Sequence, residues 1–426
     1  MTGSVHQTES TVVAVLLQLI VIVLAARLAG NAAVAIRQPR AVGEIVAGLL
    51  LGPSLFGAVA PDLSAALFTQ AAAEPMLVLS QIGLILLMFQ IGSDFEFGHL
   101  KGDINRRAVI LVTLFSVTVP LIAGFAVGQA SAPRLAGEIA ALPYSLFIAI
   151  AFAITAVPIL GRILREYQMT RSPTGVIAIS AAAANDAIGW VLLAVVAAVA
   201  SASASLASTG AQIAGLGVLG AGFWFIGRPF ADFLIERFPL IDSEIPPVLM
   251  AIILALVFAA GVATQKLGVF TIFGGFLVGL LFHRHEAFVA AWRRQIGQFV
   301  LVFFLPVFFT YTGLRTNVLG LASASDWLWC AAIFAAAFAS KALPVYLAGR
   351  LAGLSKADSR IIAVLMNTRA LMELIVLNIG FTLGFIPQDI FTMLVIMAIG
   401  TTIMTGPLLQ ILLKRSGRPV GALVDA

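Results

Sequence analysis

Charge is scarce in this sequence. Asp, Glu, Lys and Arg make up 11% of its 426 residues, whereas 61% are hydrophobic. Soluble proteins carry about 25% charged and about 45–50% apolar residues, so this chain could not cover a water-facing surface of its size. Cysteine is scarcer still, and the single Cys330 excludes an intrachain disulfide framework. The four histidines, His6, His99, His283 and His285, lack metal-ligand spacing. The formal net charge is +5, but the basic residues stand in short clusters between apolar segments. That pattern orients a membrane protein and excludes a nucleic-acid grip. No basic residue precedes the first apolar run, which excludes a cleavable signal peptide. No long polar insertion provides a soluble catalytic or nucleotide-binding domain.

What the chain has is a succession of uncharged stretches long enough to cross a bilayer, which takes about 20 mainly apolar residues. The expected spans are 12–36, 41–57, 75–93, 107–129, 143–166, 173–200, 208–231, 246–265, 268–283, 296–314, 326–350, 358–384 and 389–413, thirteen in all. None alternates with a period of two, so they read as helices and not as barrel strands.

The basic residues test that count. Nineteen of the 25 Lys and Arg fall in loops after odd-numbered spans or at the C-terminus. Loops after even-numbered spans hold only Arg134, Lys266 and Arg315, and Arg27, Lys341 and Arg369 lie inside spans. Losing or adding one span would scramble this alternation. It predicts thirteen spans with the N-terminus outside and the C-terminus in the cytoplasm. The glycine run Gly215-Leu216-Gly217-Val218-Leu219-Gly220 spells GxGxxG, with Glu236 some way on. A dinucleotide site needs that motif between a strand and a helix. Here it stands in an uncharged stretch, so it reads as helix packing. Gly48–Gly52 and Gly275–Gly279 read as close helix contacts.

Ionisable groups inside spans are costly and mark functional candidates. Arg27 lies near a cytoplasmic end and can snorkel. Glu44 opens the second span close to Arg40, where a structural ion pair suffices. Asp186 is different: it is the only charge between Arg171 and Arg228, near the middle of its span. Alanines 181–184 let other groups approach that face, and Asn185 adds a neutral carbonyl and amide. A buried carboxylate without a partner favours its protonated form, which suits a carrier of a proton or a small cation. Lys341 lies too deep to snorkel, and Asp186 is its expected partner. Arg369 and Glu373 are four apart, hence on one helical face if the helix is continuous, and an internal structural bridge is an equally good account of them.

Two spans read as locally broken. The fifth contains Thr155-Ala156-Val157-Pro158, where proline removes a backbone donor, and the twelfth contains the polar run Asn367-Thr368-Arg369. An offset of seven spans inverts topology, as the inverted repeats of a secondary transporter require. Spans 1–6 and 8–13 would be the repeats, with 208–231 between them.

At these residues the chain resembles the second family of monovalent cation:proton antiporters, closest in motif to its plant and fungal branch. The matching stretches run from Gln38-Pro39-Arg40-Ala41-Val42-Gly43-Glu44 through Gly52-Pro53-Ser54 and Gly83-Leu84-Ile85-Leu86-Leu87-Met88-Phe89. They continue through Thr155-Ala156-Val157-Pro158, Asn185-Asp186, Pro306-Val307-Phe308-Phe309, Lys341 and Asn367-Thr368-Arg369 to Glu373-Leu374-Ile375. The resemblance implies an all-α polytopic membrane protein with inverted repeats and two crossing broken helices. Residues 107–200 and 326–413 would form a core ion-transport domain moving like an elevator, residues 12–93 and 246–314 a homodimerisation domain, and 208–231 a linker helix. It places a monovalent cation, Na⁺ or K⁺, and a proton at Asp186, Asn185 and Thr155, with Lys341 opposite and Arg369 and Glu373 as an ion pair or gate. It implies no cofactor and a bacterial inner-membrane location. Any nucleotide-sensing regulation would need a separate subunit, since the chain ends at Ala426. Two aspartates stand at this position in electrogenic members, and Asn185-Asp186 is the pairing of electroneutral ones, yet a lysine at 341 is the electrogenic type. A sodium-coupled organic-anion symporter and an ion channel are the competing readings. A membrane enzyme is the weakest, because no HExxH, Ser–His pair or paired catalytic aspartates is present.

Overall fold

A computed structural model describes residues 2–36, 38–94, 103–170, 172–201, 215, 218, 220–267 and 271–417. Among them the secondary structure is helical, apart from one isolated bridge between Ile241 and Glu244. Nine of these helices are long and apolar enough to cross a membrane, and Ala141–Ala153, Thr271–Phe282 and Leu371–Thr382 are shorter apolar ones. Every expected span but 208–231 overlaps one of these helices, 143–166 and 358–384 only in part, and 208–231 is only partly described. Residues 202–214, 216, 217 and 219 lie outside the described residues, and three of the six residues of the Gly215–Gly220 motif with them. The chain is an integral membrane protein of the all-α class.

Contacts divide it into two units. The first comprises Met1–Leu24, Pro61–Glu96 and Ala194–Tyr311. Its centre is the helix Gln70–Ser93 packed on Thr271–Phe282. The Gly275–Gly279 pair makes that approach possible: a Cβ on either would lie 2.4 Å from the Ile85 carbonyl oxygen or 2.2 Å from that of Phe89. Phe89, Phe282, Phe288 and Trp292 close this core, with the Phe89 and Trp292 rings 4.4 Å apart.

The second unit comprises Ala25–Ala60, Phe97–Leu193 and Thr312–Ala426. Its long helix Ala324–Leu351 starts at a capping box, in which Ser323 Oγ accepts from the Asp326 amide and the Asp326 carboxylate accepts from the Ser323 amide. The helix Lys356–Leu365 starts in the same manner at Ser355, whose hydroxyl accepts from the Asp358 amide. Gly48 and Gly52 form the expected close contact: a Cβ on Gly52 would lie 2.1 Å from the Gly313 carbonyl oxygen. All the polar groups of the candidate site belong to this second unit.

Candidate ion-binding site

The fifth expected span is broken. The helix Ala141–Ala153 ends, Ile154–Ala156 run extended, and a second helix, Val157–Glu166, begins with Pro158 in its first turn. Proline is tolerated there because a first-turn N–H has no helical partner anyway. The twelfth expected span is broken too, between Lys356–Leu365 and Leu371–Thr382. No proline stops this helix. Ala370 instead takes a positive φ of 32°, a conformation that costs an L-residue of order 1–3 kcal/mol. The two breaks lie against each other: the Ala156 amide donates to the Thr368 carbonyl at 2.9 Å, and Thr155 Oγ1 donates to the Met366 carbonyl at 3.3 Å. Each break thus satisfies backbone groups that the other leaves open.

Breaking a helix at mid-membrane exposes carbonyls at one end and amides at the other, with partial negative and positive character respectively. Both ends are used. Lys341 Nζ donates to the carbonyls of Ala153 at 2.6 Å and Ile154 at 2.7 Å. Arg369 donates to Ala151 at 2.9 Å and to Ala337 at 2.8 Å, and its guanidinium lies 5.9 Å over the Phe152 ring. Two cations therefore cap the carbonyl end of Ala141–Ala153. At the amide end, the Val157 backbone N–H acts electrostatically on Asp186.

Asp186 is 2% exposed, and neither of its carboxylate oxygens has a partner in hydrogen-bonding geometry. The expected direct pair with Lys341 is not formed. Lys341 gives two of its three ammonium hydrogens to released helix carbonyls and acts on Asp186 only through space. The reason is the break, which offers an ammonium two strong acceptors that a sequence scan cannot see. Arg369 and Glu373 do not share one continuous helix, as the expected break at 367–369 requires. Arg369 lies in the break, and its Nη1 stands 3.9 Å from Glu373 Oε2, with neither Glu373 oxygen hydrogen-bonded. Arg369 is held by backbone carbonyls first and by Glu373 second.

Asn185 lies beside Asp186 on Pro173–Ser201, fully buried. Its Nδ2 donates to Thr155 Oγ1 at 3.1 Å and to Ser116 Oγ at 3.2 Å. Thr155, Asn185 and Asp186 thus gather at the first break, with Lys341 on its carbonyl side. Ser116, on Asp103–Leu135, is a residue that sequence reasoning missed; a serine in an apolar run 69 positions away carries no local signal. Arg27 is exposed and Glu44 buried, both on helices outside this cluster. The oxygens gathered here, carboxylate, hydroxyl and amide, are the donor set of a hard monovalent cation, and the carboxylate can take a proton instead.

Known proteins resemble this chain in sequence and in fold. A family model described as "Sodium/hydrogen exchanger, transmembrane" matches residues 16–415. The Na(+)/H(+) antiporter NhaS4 of Synechocystis sp. is 34% identical over 404 residues, covering 94% of this chain and 97% of that protein. Cation/H(+) antiporter 17 of Arabidopsis thaliana is 32% identical over 94% of this chain, which spans only 48% of that longer protein. The structure of the sodium proton antiporter MjNhaP1 from Methanocaldococcus jannaschii superposes with a TM-score of 0.63 at 15% identity, over 96% of this chain and 99% of that one. That likeness establishes the fold, a helical membrane architecture in which the two breaks meet.

Proposed function

Because the chain belongs to the transmembrane sodium/hydrogen exchanger family, we propose that it is a secondary antiporter that exchanges a monovalent cation, Na⁺ or K⁺, for protons, the two competing for Asp186. One observation carries the assignment of the acid: a carboxylate 2% exposed, with both oxygens unpartnered, beside the amide end of a broken helix. A buried ionised carboxylate without a partner is too costly to persist. Binding a proton or binding a cation each neutralises it, and one site cannot hold both. That exclusion is the coupling. Thr155 and Asn185 supply further oxygens to a dehydrated cation. Lys341 sets the local field while keeping the carbonyl end of Ala141–Ala153 closed to the cation.

Alternating access follows from the crossing, since the site lies where both half-helix pairs meet and can face either side when that body moves. In this reading the moving body comprises residues 107–200 and 326–413, residues 12–93 and 246–314 form a homodimer interface, and 208–231 is the linker, whereas contacts group Ala25–Ala60 with the site. The excess of Lys and Arg after odd-numbered spans supports a cytoplasmic C-terminus in a bacterial inner membrane. A separate regulatory subunit would have to act from that side.

The test is proton flux in proteoliposomes under Li⁺, Na⁺, K⁺ and Rb⁺ gradients. Wild-type protein should move protons against one or more of these cations, and Asp186→Asn should insert and fold yet exchange none. Ordinary exchange by a stably folded Asp186→Asn protein would remove Asp186 from the mechanism.

A further inference from the structure

The hydrogen bonds around Asn185 determine which end of its amide faces the cation. Ser116 Oγ donates its one hydrogen to the Thr113 carbonyl at 3.1 Å, and Thr155 Oγ1 donates its own to the Met366 carbonyl at 3.3 Å. A hydroxyl has a single hydrogen. With both spent on backbone carbonyls, each hydroxyl can only accept from Asn185. The edge of the amide turned towards them must therefore be the NH₂ edge, as the 3.2 Å and 3.1 Å bonds record. An amide nitrogen and oxygen are hard to tell apart by shape, and the network is what assigns them. Both Nδ2 hydrogens are consumed, so Oδ1 stands on the opposite edge with its lone pairs available. Ser116, Thr155 and Asn185 are all at most 1% exposed, so no solvent competes for these bonds.

We propose that Ser116 is a positioning residue for exchange: by accepting from Nδ2 it holds the Asn185 amide so that its oxygen, and not its NH₂, is offered to the transported cation. This rests on the reading of Asn185 and Asp186 as the cation site. With Ser116 removed, only Thr155 restrains the amide. One rotation of the Thr155 hydroxyl towards Oδ1 then lets the amide turn over, which directs two partly positive hydrogens at the place a cation must occupy. Thr155 cannot prevent this alone, because a hydroxyl serves equally well as donor or acceptor. With two hydroxyls anchored to two different carbonyls, the reversal requires both carbonyl bonds to break together.

The experiment uses full-length Ser116→Ala in proteoliposomes, with Ser116→Cys as a near-isosteric variant whose sulfur is a weak acceptor. Cation-dependent thermal stabilisation of the purified proteins gives affinity independently of turnover. The apparent KM for the transported cation should rise about tenfold in Ser116→Ala and by less in Ser116→Cys, with the maximal rate little changed. The cation concentration that half-stabilises the protein should rise in parallel. A merely structural role would lower the melting temperature without cation and leave both affinities where they were. A wild-type KM and wild-type stabilisation in folded Ser116→Ala would overturn the proposal. Failure of the underlying reading looks different: Asp186→Asn would then exchange normally, whatever Ser116 does.

Discussion

Lys341 is 0% exposed, and its ammonium lies 2.6 and 2.7 Å from two carbonyl oxygens that no other group among the described residues caps. A buried acceptor stripped of its donor costs about 1–3 kcal/mol, and Lys341→Ala strips two at once. It also removes a positive charge from the field of Asp186. The expected outcome is a protein that melts several degrees lower, by differential scanning in detergent, and exchanges poorly. Lys341→Arg should recover part of the stability, because a guanidinium also donates to two carbonyls. An unchanged melting temperature in Lys341→Ala would mean that the carbonyls find another donor. Asp186 and Lys341 thus do separate work in one small volume: the acid is left open, and the base is occupied.

Helix against helix, the fold is held by places where backbones touch. A Cβ on Gly313 would sit 1.9 Å from the Gly48 carbonyl oxygen, a distance no neighbouring side chain can relieve by moving. Gly313→Val should therefore lower the yield of folded protein sharply, by a destabilisation of about 3 kcal/mol or more. Gly220 is the control, since a Cβ there meets nothing within 4 Å. Gly220→Ala should melt and exchange as the wild type does, measured side by side. Impaired cation exchange in Gly220→Ala would give the GxGxxG run a role beyond packing. The breaks are the other feature of this scale. A proline in the first turn of Val157–Glu166 announces one of them in the sequence. The other is made by a strained Ala370 and by hydrogen bonds to the first, so it shows in the sequence only as misplaced polarity.

For the molecule as a whole, the charge moved per cycle follows from how many groups alternate between proton and cation. Asp186 can do so and Asn185 cannot, and Lys341 is engaged with carbonyls in place of the acid. Exchange should then be one cation for one proton and electroneutral. If Lys341 also released a proton each cycle, one net charge would cross, and the equilibrium would shift by about 2.3 kcal/mol per 100 mV. That is more than a tenfold change in the attainable cation gradient. Proteoliposomes with membrane potential and ion gradients set independently should show a reversal point that does not move with voltage. Movement with voltage would give Lys341 a proton-carrying role.

Much of this was legible in the residues themselves. Hydropathy over some twenty residues, the alternation of Lys and Arg between loops, and a solitary Asp186 are local properties, and local properties survive in a linear string. Membrane class, helical architecture and the candidate acid follow from them, and Pro158 and the polar run 367–369 mark the two breaks. The partners do not. Lys341 reaches carbonyls 187 and 188 positions away, and Asn185 reaches Ser116 across 69. Which acceptor a buried donor takes is decided by what the fold brings within about 3 Å. Hydropathy marked Lys341 and Asp186 as two costly charges that ought to meet. Only the tertiary structure showed that a broken helix offers the lysine better acceptors and leaves the aspartate free.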